Sequence, residues 1–236
     1  MSERRVSSNP FDPAFEQLPE VLPIFPLSGV LLLPGGRLPL NIFEPRYLAM
    51  FFDALAGARM IGMLQPTMPG GFAGDGLPDD SGPPQVEGVG CAGRIVAFSE
   101  TDDGRLLVTL AGLIRFETGK ELATHANGYR RVIPNYERYR GDLDGDDMAM
   151  ELDRPRLMSA LEGFFRARKL QGDWSGLKRA GDDNLVTSLA MVCPFAPTEK
   201  QALLEAPDGS ARARLLIALL EMAAMGGGGP QTPSRH

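Results

Sequence analysis

The stretch that decides the fold runs from Leu22 to Tyr47 and reads LPIFPLSGVLLLPGGRLPLNIFEPRY. Its apolar runs are short, and prolines interrupt them at positions 23, 26, 34, 39 and 45. Proline fixes φ and has no N–H to donate to a β-ladder, so it is confined to edge strands and turns. The stretch therefore predicts extended edge strands joined by rigid turns.

A helix is predicted to begin at Pro45, because proline is favoured at the first helical position. Apolar side chains then recur at helical spacing, at Tyr47, Leu48, Phe51, Phe52 and Leu55. Gly57 follows as a C-terminal stop. A proline-stiffened β segment therefore leads into one amphipathic helix.

Downstream, a strand is predicted at residues 60–64 and a β-meander after residue 88. The meander strands are rich in β-branched and aromatic residues: Val89–Phe98, Leu106–Leu110, Leu113–Thr118 and Tyr129–Tyr136. Asp102-Asp103-Gly104 predicts a hairpin turn between the first two.

Beyond residue 150 the apolar spacing is helical. The predicted helices lie around Leu157–Leu170, Leu185–Val192, Thr198–Ala206 and Leu215–Met222. Asp153 is the expected N-cap of the first helix, and Thr198 with Gln201 is the expected capping box of the third.

One spaced pattern, P-L followed by P-G-x-x-L-P-L-x-I-F-E-x-R-Y, is formed by Pro26, Leu27, Pro34, Gly35, Leu38, Pro39, Leu40, Ile42, Phe43, Glu44, Arg46 and Tyr47. This pattern closely resembles the opening of the LON domain, the N-terminal substrate-binding domain of the ATP-dependent Lon proteases. The resemblance continues at Gly90–Ile95, Asp103–Leu106, Gly112–Phe116 and Glu199–Ala206, and it covers roughly residues 20 to 224.

The resemblance implies an α+β fold, in which a PUA-like β pseudo-barrel with one amphipathic helix is followed by a small C-terminal helical bundle. We accordingly divide the chain into a flexible arm (1–17), a LON-type β domain (18–141), a helical subdomain (142–225) and a flexible tail (226–236). Residues 66–88, rich in Gly, Pro and Asp, are predicted to form a mobile loop within the β domain. In Lon proteases an AAA+ motor and a Ser-Lys peptidase follow this domain, and we expect a stand-alone bacterial member that lacks both.

The composition favours a cytoplasmic protein that does not enter a membrane. The net charge of −6 and the pI near 5.1 argue against polyanionic partners. No apolar run reaches the ~18 residues that span a bilayer, and the N-terminus lacks the apolar core of a secretory signal. Cys91 and Cys193 lie far apart and are predicted to be reduced core thiols.

Motifs for catalysis or cofactor binding are weak. The nearest approach to a phosphate-binding loop, Gly112 to Lys120, has the wrong spacing and lacks the required hydroxyl residue. His125, His236 and two scattered cysteines do not have the spacing of a zinc site, and His125 alone does not indicate a catalytic triad. The run 142–147 begins like a calcium loop but lacks its glycine and its final glutamate. We therefore predict no catalytic residue, cofactor or metal, and keep an unrecognised hydrolase as an alternative.

Two segments are candidate binding surfaces. Residues 129–140 interleave tyrosines with arginines, a pattern typical of strands that stack on RNA bases, although the acidic charge of the chain disfavours nucleic acid. The helix start supplies Phe43, Glu44, Arg46 and Tyr47. These residues fit either an ordinary core with a helix-dipole carboxylate or the rim of a hydrophobic groove.

Arg115 and Phe116, from the matched segment Gly112–Phe116, complete our candidate peptide-binding set. The leading hypothesis is a non-catalytic protein that binds unfolded or specific polypeptide segments. It would act as an adaptor or chaperone-like accessory to a protease or chaperone in trans. An RNA-binding PUA-like module is the alternative from another class.

Overall fold

The computed structural model describes residues 9–67, 85–144, 150–170 and 174–225. Most of the predicted arm falls within these ranges. The greater part of the predicted loop 66–88 and the whole predicted tail 226–236 lie outside them.

In this part of the chain six strands form one mixed sheet that curls into a partial barrel. The strands are β1 (Leu22–Pro26), β2 (Arg37–Ile42), β3 (Met60–Leu64), β4 (Val89–Glu100), β5 (Leu106–Glu121) and β6 (Arg130–Asn135). Their order is β2-β5-β4-β3-β1-β6, and a second pairing between β5 and β6 closes a ring. β1 and β3 are parallel, whereas the other neighbouring strands are antiparallel. The predicted β pseudo-barrel is confirmed.

Strand β5 is long enough to serve two parts of the sheet. Its first half pairs with β2 and β4, and its second half pairs with β4 and β6. The prediction of separate strands at Leu106–Leu110 and Leu113–Thr118 is wrong, because Gly112 remains in the ladder opposite Gly93. A side chain at Gly112 would collide with the carbonyl oxygen of Leu33. The glycine is therefore needed for a close approach of two backbones and not for a turn.

Helix α1 (Pro45–Ala56) begins at the predicted proline and ends before Gly57. Its buried face consists of Tyr47, Met50, Phe51 and Ala54. The predicted stripe also contained Phe52, which is 51% exposed. Adjacent positions on a helix point about 100° apart, so Phe51 and Phe52 do not both face the barrel.

The C-terminal part is helical, as predicted. The helices are α2 (Gly141–Asp144), α3 (Arg154–Arg168), α4 (Trp174–Arg179), α5 (Asp182–Val192), α6 (Pro197–Glu205) and α7 (Gly209–Met225). Asp153 caps α3 by accepting the N–H of Arg156 at 3.0 Å. The predicted capping box of α6 is wrong, because the carboxylate of Glu199 accepts the N–H of Ala196 at 2.7 Å and Gln201 is buried elsewhere. Helix α4 was not predicted.

Polar side chains on α6 reach into the barrel. Lys200 is only 6% exposed, and its Nζ donates to the carbonyl oxygens of Gly29 at 2.8 Å and Met191 at 3.2 Å. Burial lowers the pKa of this lysine. The side-chain amide of Gln201 donates to the carbonyl oxygen of Val89 at 3.0 Å. One hydrophobic core runs through both parts, so we propose that residues 18–141 and 142–225 are subdomains of one packed unit.

The guanidinium of Arg115 on β5 joins the two parts through several hydrogen bonds. It binds both carboxylate oxygens of Asp142, with Nε at 2.9 Å and Nη2 at 2.8 Å. Nη1 donates to the main-chain oxygens of Leu204 at 3.2 Å and Ala206 at 2.6 Å, where α6 ends. The ring of Tyr139 lies 4.5 Å from the guanidinium carbon. We call this arrangement the Arg115 latch.

The latch is buried, with side-chain exposures of 6% for Arg115 and 11% for Asp142. Burial opposes the charge of the guanidinium, but the hydrogen bonds and the charge of Asp142 outweigh it and raise the pKa of Arg115. The cation also complements the partial negative charge of the carbonyls at the end of α6. Both charges are therefore compensated only while the two subdomains are packed together.

Both cysteines are unpaired and buried. Cys91 lies on β4 in the barrel, and Cys193 follows α5 beside Lys200. Burial raises the pKa of both thiols, that of Cys193 to about 11. The predicted reduced core thiols are confirmed.

We predict that Asp142→Ala lowers the free energy of unfolding by about 3 kcal/mol or more, because it leaves the buried guanidinium without its counter-charge. Urea denaturation measures the change. Glu16→Ala is the matched control, since Glu16 pairs with Arg140 at 3.2 Å on an exposed surface, where an ion pair contributes about 1 kcal/mol or less. Equal losses in the two variants would show that the latch does not hold the subdomains together.

Candidate functional site

Two of the sequence-predicted residues do not face solvent. Phe116 has 0% exposure, and its ring fills the space left by two glycines: a Cβ added at Gly90 would lie 2.7 Å from Phe116 Cζ, and one at Gly62 would lie 3.0 Å from it. Arg115 is held in the latch. The predicted peptide-binding set is corrected here, because neither side chain offers surface to a ligand.

The residues at the start of α1 are brought together but are mostly engaged with each other. Glu44 accepts from Nε of Arg46 at 3.0 Å, so their charges neutralise each other. Tyr47 is 8% exposed, with its ring 4.2 Å from that of Phe25. Phe43 differs, being 54% exposed. This cluster therefore resembles an ordinary core beside a helix start more than the rim of a groove. Phe43 is its one exposed apolar side chain.

Sequence reasoning missed an apolar groove on the outer face of the sheet, which we call the β2–β5–β4 groove. Two cross-strand rows form its floor: Asn41–Leu107–Ser99 and Pro39–Thr109–Ala97. Leu40, Phe98 and Val108 complete the lining. Leu107, at the centre of one row, is 48% exposed. Residues on one face of neighbouring strands lie close enough to act as one surface.

Half-exposed aromatic rings lie towards α1 on the other face of the sheet, since Phe98 pairs with the buried Val108 and not with Leu107 or Thr109. Phe98 is 46% exposed, and its ring centroid lies 5.2 Å from that of Phe51. The ring of Phe51 lies in turn 5.4 Å from that of Phe52. Phe43 borders the same hairpin, since the guanidinium of Arg105 lies 5.6 Å from its ring.

A signal for the groove was present in the sequence. A strand with one solvated face alternates apolar and polar residues, yet Leu106, Leu107 and Val108 are consecutive and apolar. Leu106 and Val108 are buried, so the residue between them points outward. An outward leucine at that position indicates an apolar patch on the surface.

Three of the four arginines of segment 129–140 are paired with carboxylates, and the fourth, Arg131, donates to the carbonyl oxygen of Ala123 at 3.2 Å. Salt bridges join Arg130 to Glu121 at 2.6 Å, Arg138 to Glu117 at 3.3 Å and Arg140 to Glu16 at 3.2 Å. Its three tyrosines, Tyr129, Tyr136 and Tyr139, are all buried. An RNA-binding strand needs free cations and exposed rings, but here three of the four cations are paired and all three tyrosine rings are buried.

The histidine and acidic residues do not assemble a reaction centre in the ranges that the structure covers. Within those ranges no three His, Cys, Asp or Glu side chains come together as metal ligands. Asp142, the first residue of the calcium-like run, binds Arg115, whereas residues 145–149 lie outside the described ranges. His125 stacks on Tyr129 at 4.4 Å, and its Nδ1 accepts the N–H of Asn127 at 3.3 Å.

Comparison with known proteins decides the family. The model for the ATP-dependent protease La (LON) substrate-binding domain matches residues 21–222. The chain belongs to this family. Lon protease 2 of Myxococcus xanthus is 26% identical over 207 residues, which are 87% of this chain and 24% of that protein. Lon protease of Desulfosudis oleivorans is 27% identical over 109 residues, 46% of this chain and 13% of that protein.

The chain thus spans about a quarter or less of the length of these curated relatives. Among solved structures, a Lon N-terminal domain protein from Xanthomonas campestris matches with a TM-score of 0.55 and 24% identity, covering 84% of this chain and 97% of that one. The N-terminal domain of Mycobacterium avium complex Lon protease matches with a TM-score of 0.54 and 15% identity, covering 85% and 97%. At these identities the two structures support the LON fold alone.

Membership of the LON family supports a role in substrate recognition. None of the helices in the described ranges has the length and apolar character that a bilayer crossing requires.

We predict that none of the four tyrosines ionises near the ordinary pKa of about 10 while the protein is folded. Burial raises the pKa of Tyr47, Tyr136 and Tyr139, and burial with the hydrogen bond to Asp53 raises that of Tyr129 to about 12. The neutral rings therefore stabilise the fold below pH ~10, and this contribution is lost as pH rises from there through the folded values. Ultraviolet titration of tyrosinate, with the urea-unfolded chain as control, measures this. A folded-state transition near pH 10 would contradict it.

Proposed function

We propose that this protein is a non-catalytic polypeptide-recognition module that binds unfolded or specific extended segments. The observation that carries the proposal is the β2–β5–β4 groove, with half-exposed Leu107 at its centre. Exposed contiguous apolar surface on a water-soluble domain is typical of an interaction site. The family assignment adds that the related domains bind substrates.

The chemistry of the groove suits apolar side chains of an unfolded chain. Burying apolar surface contributes about 25 cal/mol per Å², so a few contacts with Leu107, Pro39 and Ala97 yield modest affinity. An open groove of this kind favours dissociation constants of roughly micromolar order over tight and selective binding. Such affinity fits a protein that samples many client segments.

We further propose that the module acts as an adaptor or chaperone-like accessory that presents segments to a protease or chaperone in trans. The support is the family match to a substrate-binding domain together with a surface that offers apolar contacts. RNA binding through residues 129–140 receives no such support, because three of the four arginines there are paired with carboxylates and the three tyrosines are buried.

We predict that Leu107→Ser weakens binding of carboxymethylated lactalbumin, a permanently unfolded polypeptide, by roughly fivefold, since about 1 kcal/mol of apolar burial is lost. Fluorescence anisotropy of the labelled polypeptide measures the dissociation constant. Ile133→Ser is the matched control, because Ile133 is also half exposed, at 43%, but lies on β6 outside the groove.

Circular dichroism should show that both variants are folded. The proposal would end if binding of the polypeptide to the unmodified protein did not saturate at roughly tens of micromolar. The dissociation constant would then be roughly millimolar or weaker. Equal effects of the two variants would move the site away from the groove.

A further inference from the structure

The outer edge of β2 carries main-chain groups that no described strand pairs. β2 ends the strand order and pairs only with β5 among the described strands. In its antiparallel register, Arg37 lies opposite Ala111 and Ile42 opposite Leu106 without any shift. The other edge of β2 is therefore a sheet edge, and such edges are templates for an added strand.

The register also fixes which residues direct their main chain outward. Bonded and non-bonded pairs alternate along an antiparallel ladder, and the N–H of Gly112 donates to the carbonyl oxygen of Gly36 at 2.9 Å. Two residues further on, the pairs of Leu38, Leu40 and Ile42 are consequently the bonded ones. Arg37, Pro39 and Asn41 then face outward.

The position of Pro39 supports this assignment. A proline in a bonded pair would leave the ladder short of one donor, so prolines occur where the N–H would point away from the sheet. Pro39 lies opposite Thr109, which is a non-bonded pair in the alternation derived above. The outer edge thus offers the N–H and C=O of Arg37 and of Asn41, but only the C=O of Pro39.

The same three residues have exposed side chains on the groove side of the sheet. Asn41 and Pro39 begin the two rows of the β2–β5–β4 groove. Arg37 begins the next row, and among the described residues it has no ion pair. An added strand would therefore have apolar contacts at one end and the exposed guanidinium of Arg37 at the other.

We propose that the polypeptide segment binds as an antiparallel strand added to the outer edge of β2. Resting on the proposed function, this inference names the binding mode and the sequence class of the client. The ligand makes two main-chain hydrogen bonds each with Arg37 and Asn41 and one with Pro39. Its side chains on the groove side are apolar opposite Asn41 and Pro39 and carboxylate-bearing opposite Arg37.

The direction of pairing turns this into an ordered motif. β2 runs from Arg37 to Asn41, so an antiparallel ligand meets Asn41 first and Arg37 last. The preferred client therefore reads apolar, any, apolar, any, Asp or Glu, from its N-terminus to its C-terminus. The missing donor at Pro39 weakens pairing at the middle of this motif, and it equally weakens edge-to-edge pairing between copies of the protein.

The probe is a labelled peptide, valine-threonine-valine-threonine-glutamate flanked by glycines, with both ends blocked so that the side chain is its only carboxylate. Pro39→Ala restores the missing N–H, so we expect it to tighten binding by roughly two- to tenfold. Asn41→Pro removes an outward N–H, and we expect a comparable loss. Asn41→Ala is the matched control, since it shortens the same side chain but keeps the donor.

Charge reversal tests the order of the motif. We expect Arg37→Glu to bind the glutamate peptide more weakly at low salt. This variant should instead prefer a peptide in which lysine replaces the glutamate. A peptide of the same composition with glutamate first should bind the unmodified protein more weakly than the ordered one. Native-state hydrogen exchange should show protection of the Arg37 and Asn41 amides when the ordered peptide is bound.

The outcomes separate the two proposals. Failure of both carboxymethylated lactalbumin and the peptide to bind overturns the proposed function. A second outcome overturns only the added-strand inference. In that outcome Leu107→Ser weakens lactalbumin binding, but Pro39→Ala and Asn41→Pro change the affinity for neither lactalbumin nor the peptide. Sedimentation of Pro39→Ala at several concentrations distinguishes tighter peptide binding from self-association through the same edge.

Discussion

The guanidinium of Arg115 places a positive charge between the barrel and the helices, and the oxygen atoms around it accept its hydrogen bonds. A guanidinium there is tolerated only because Asp142 binds it through both oxygens and the end of α6 supplies two carbonyl acceptors. These partners come from segments far apart in the chain. Their hydrogen bonds to Arg115 therefore fix the positions of α2 and α6 relative to β5. Lys200 and Gln201, one turn earlier on α6, are thereby directed at main-chain oxygens of the barrel.

With that face of the barrel covered by helices, β2 keeps an outer edge that no described strand pairs. β5 connects the two regions, since its second half contains Arg115 and its first half contains Leu107. At the latch β5 is buried and the side chain of Arg115 is hydrogen-bonded, whereas at the groove the side chain of Leu107 is half exposed. One continuous backbone thus provides a rigid base for a surface that has few contacts of its own, which is the usual relation between a scaffold and a binding site.

The proline and helix patterns made much of the fold predictable. Prolines at positions 23, 26 and 39 marked β1 and β2, and Pro45 with Gly57 bounded α1. The prediction of edge strands holds for β2 but is wrong for β1, which pairs with β3 on one side and β6 on the other. Local signals failed where distant contacts decide the outcome. Gly112 looked like a break in a strand because its role depends on Leu33, 79 positions earlier in the chain. Phe116 looked like a surface candidate because the glycines that admit its ring lie on other strands. The groove was missed for the same reason: its rows join three strands, and only the register aligns them.

The two buried thiols have a practical consequence for following the protein in solution. One lies in the barrel and the other beside the α5–α6 junction, and burial suppresses the thiolate that reacts with alkylating reagents. Each cysteine therefore becomes reactive only when the region around it opens, so alkylation of each thiol reports opening of the part of the protein that contains it. Mass spectrometry of pulse-labelled protein would reveal whether client binding opens the helical half alone, the barrel alone, or neither.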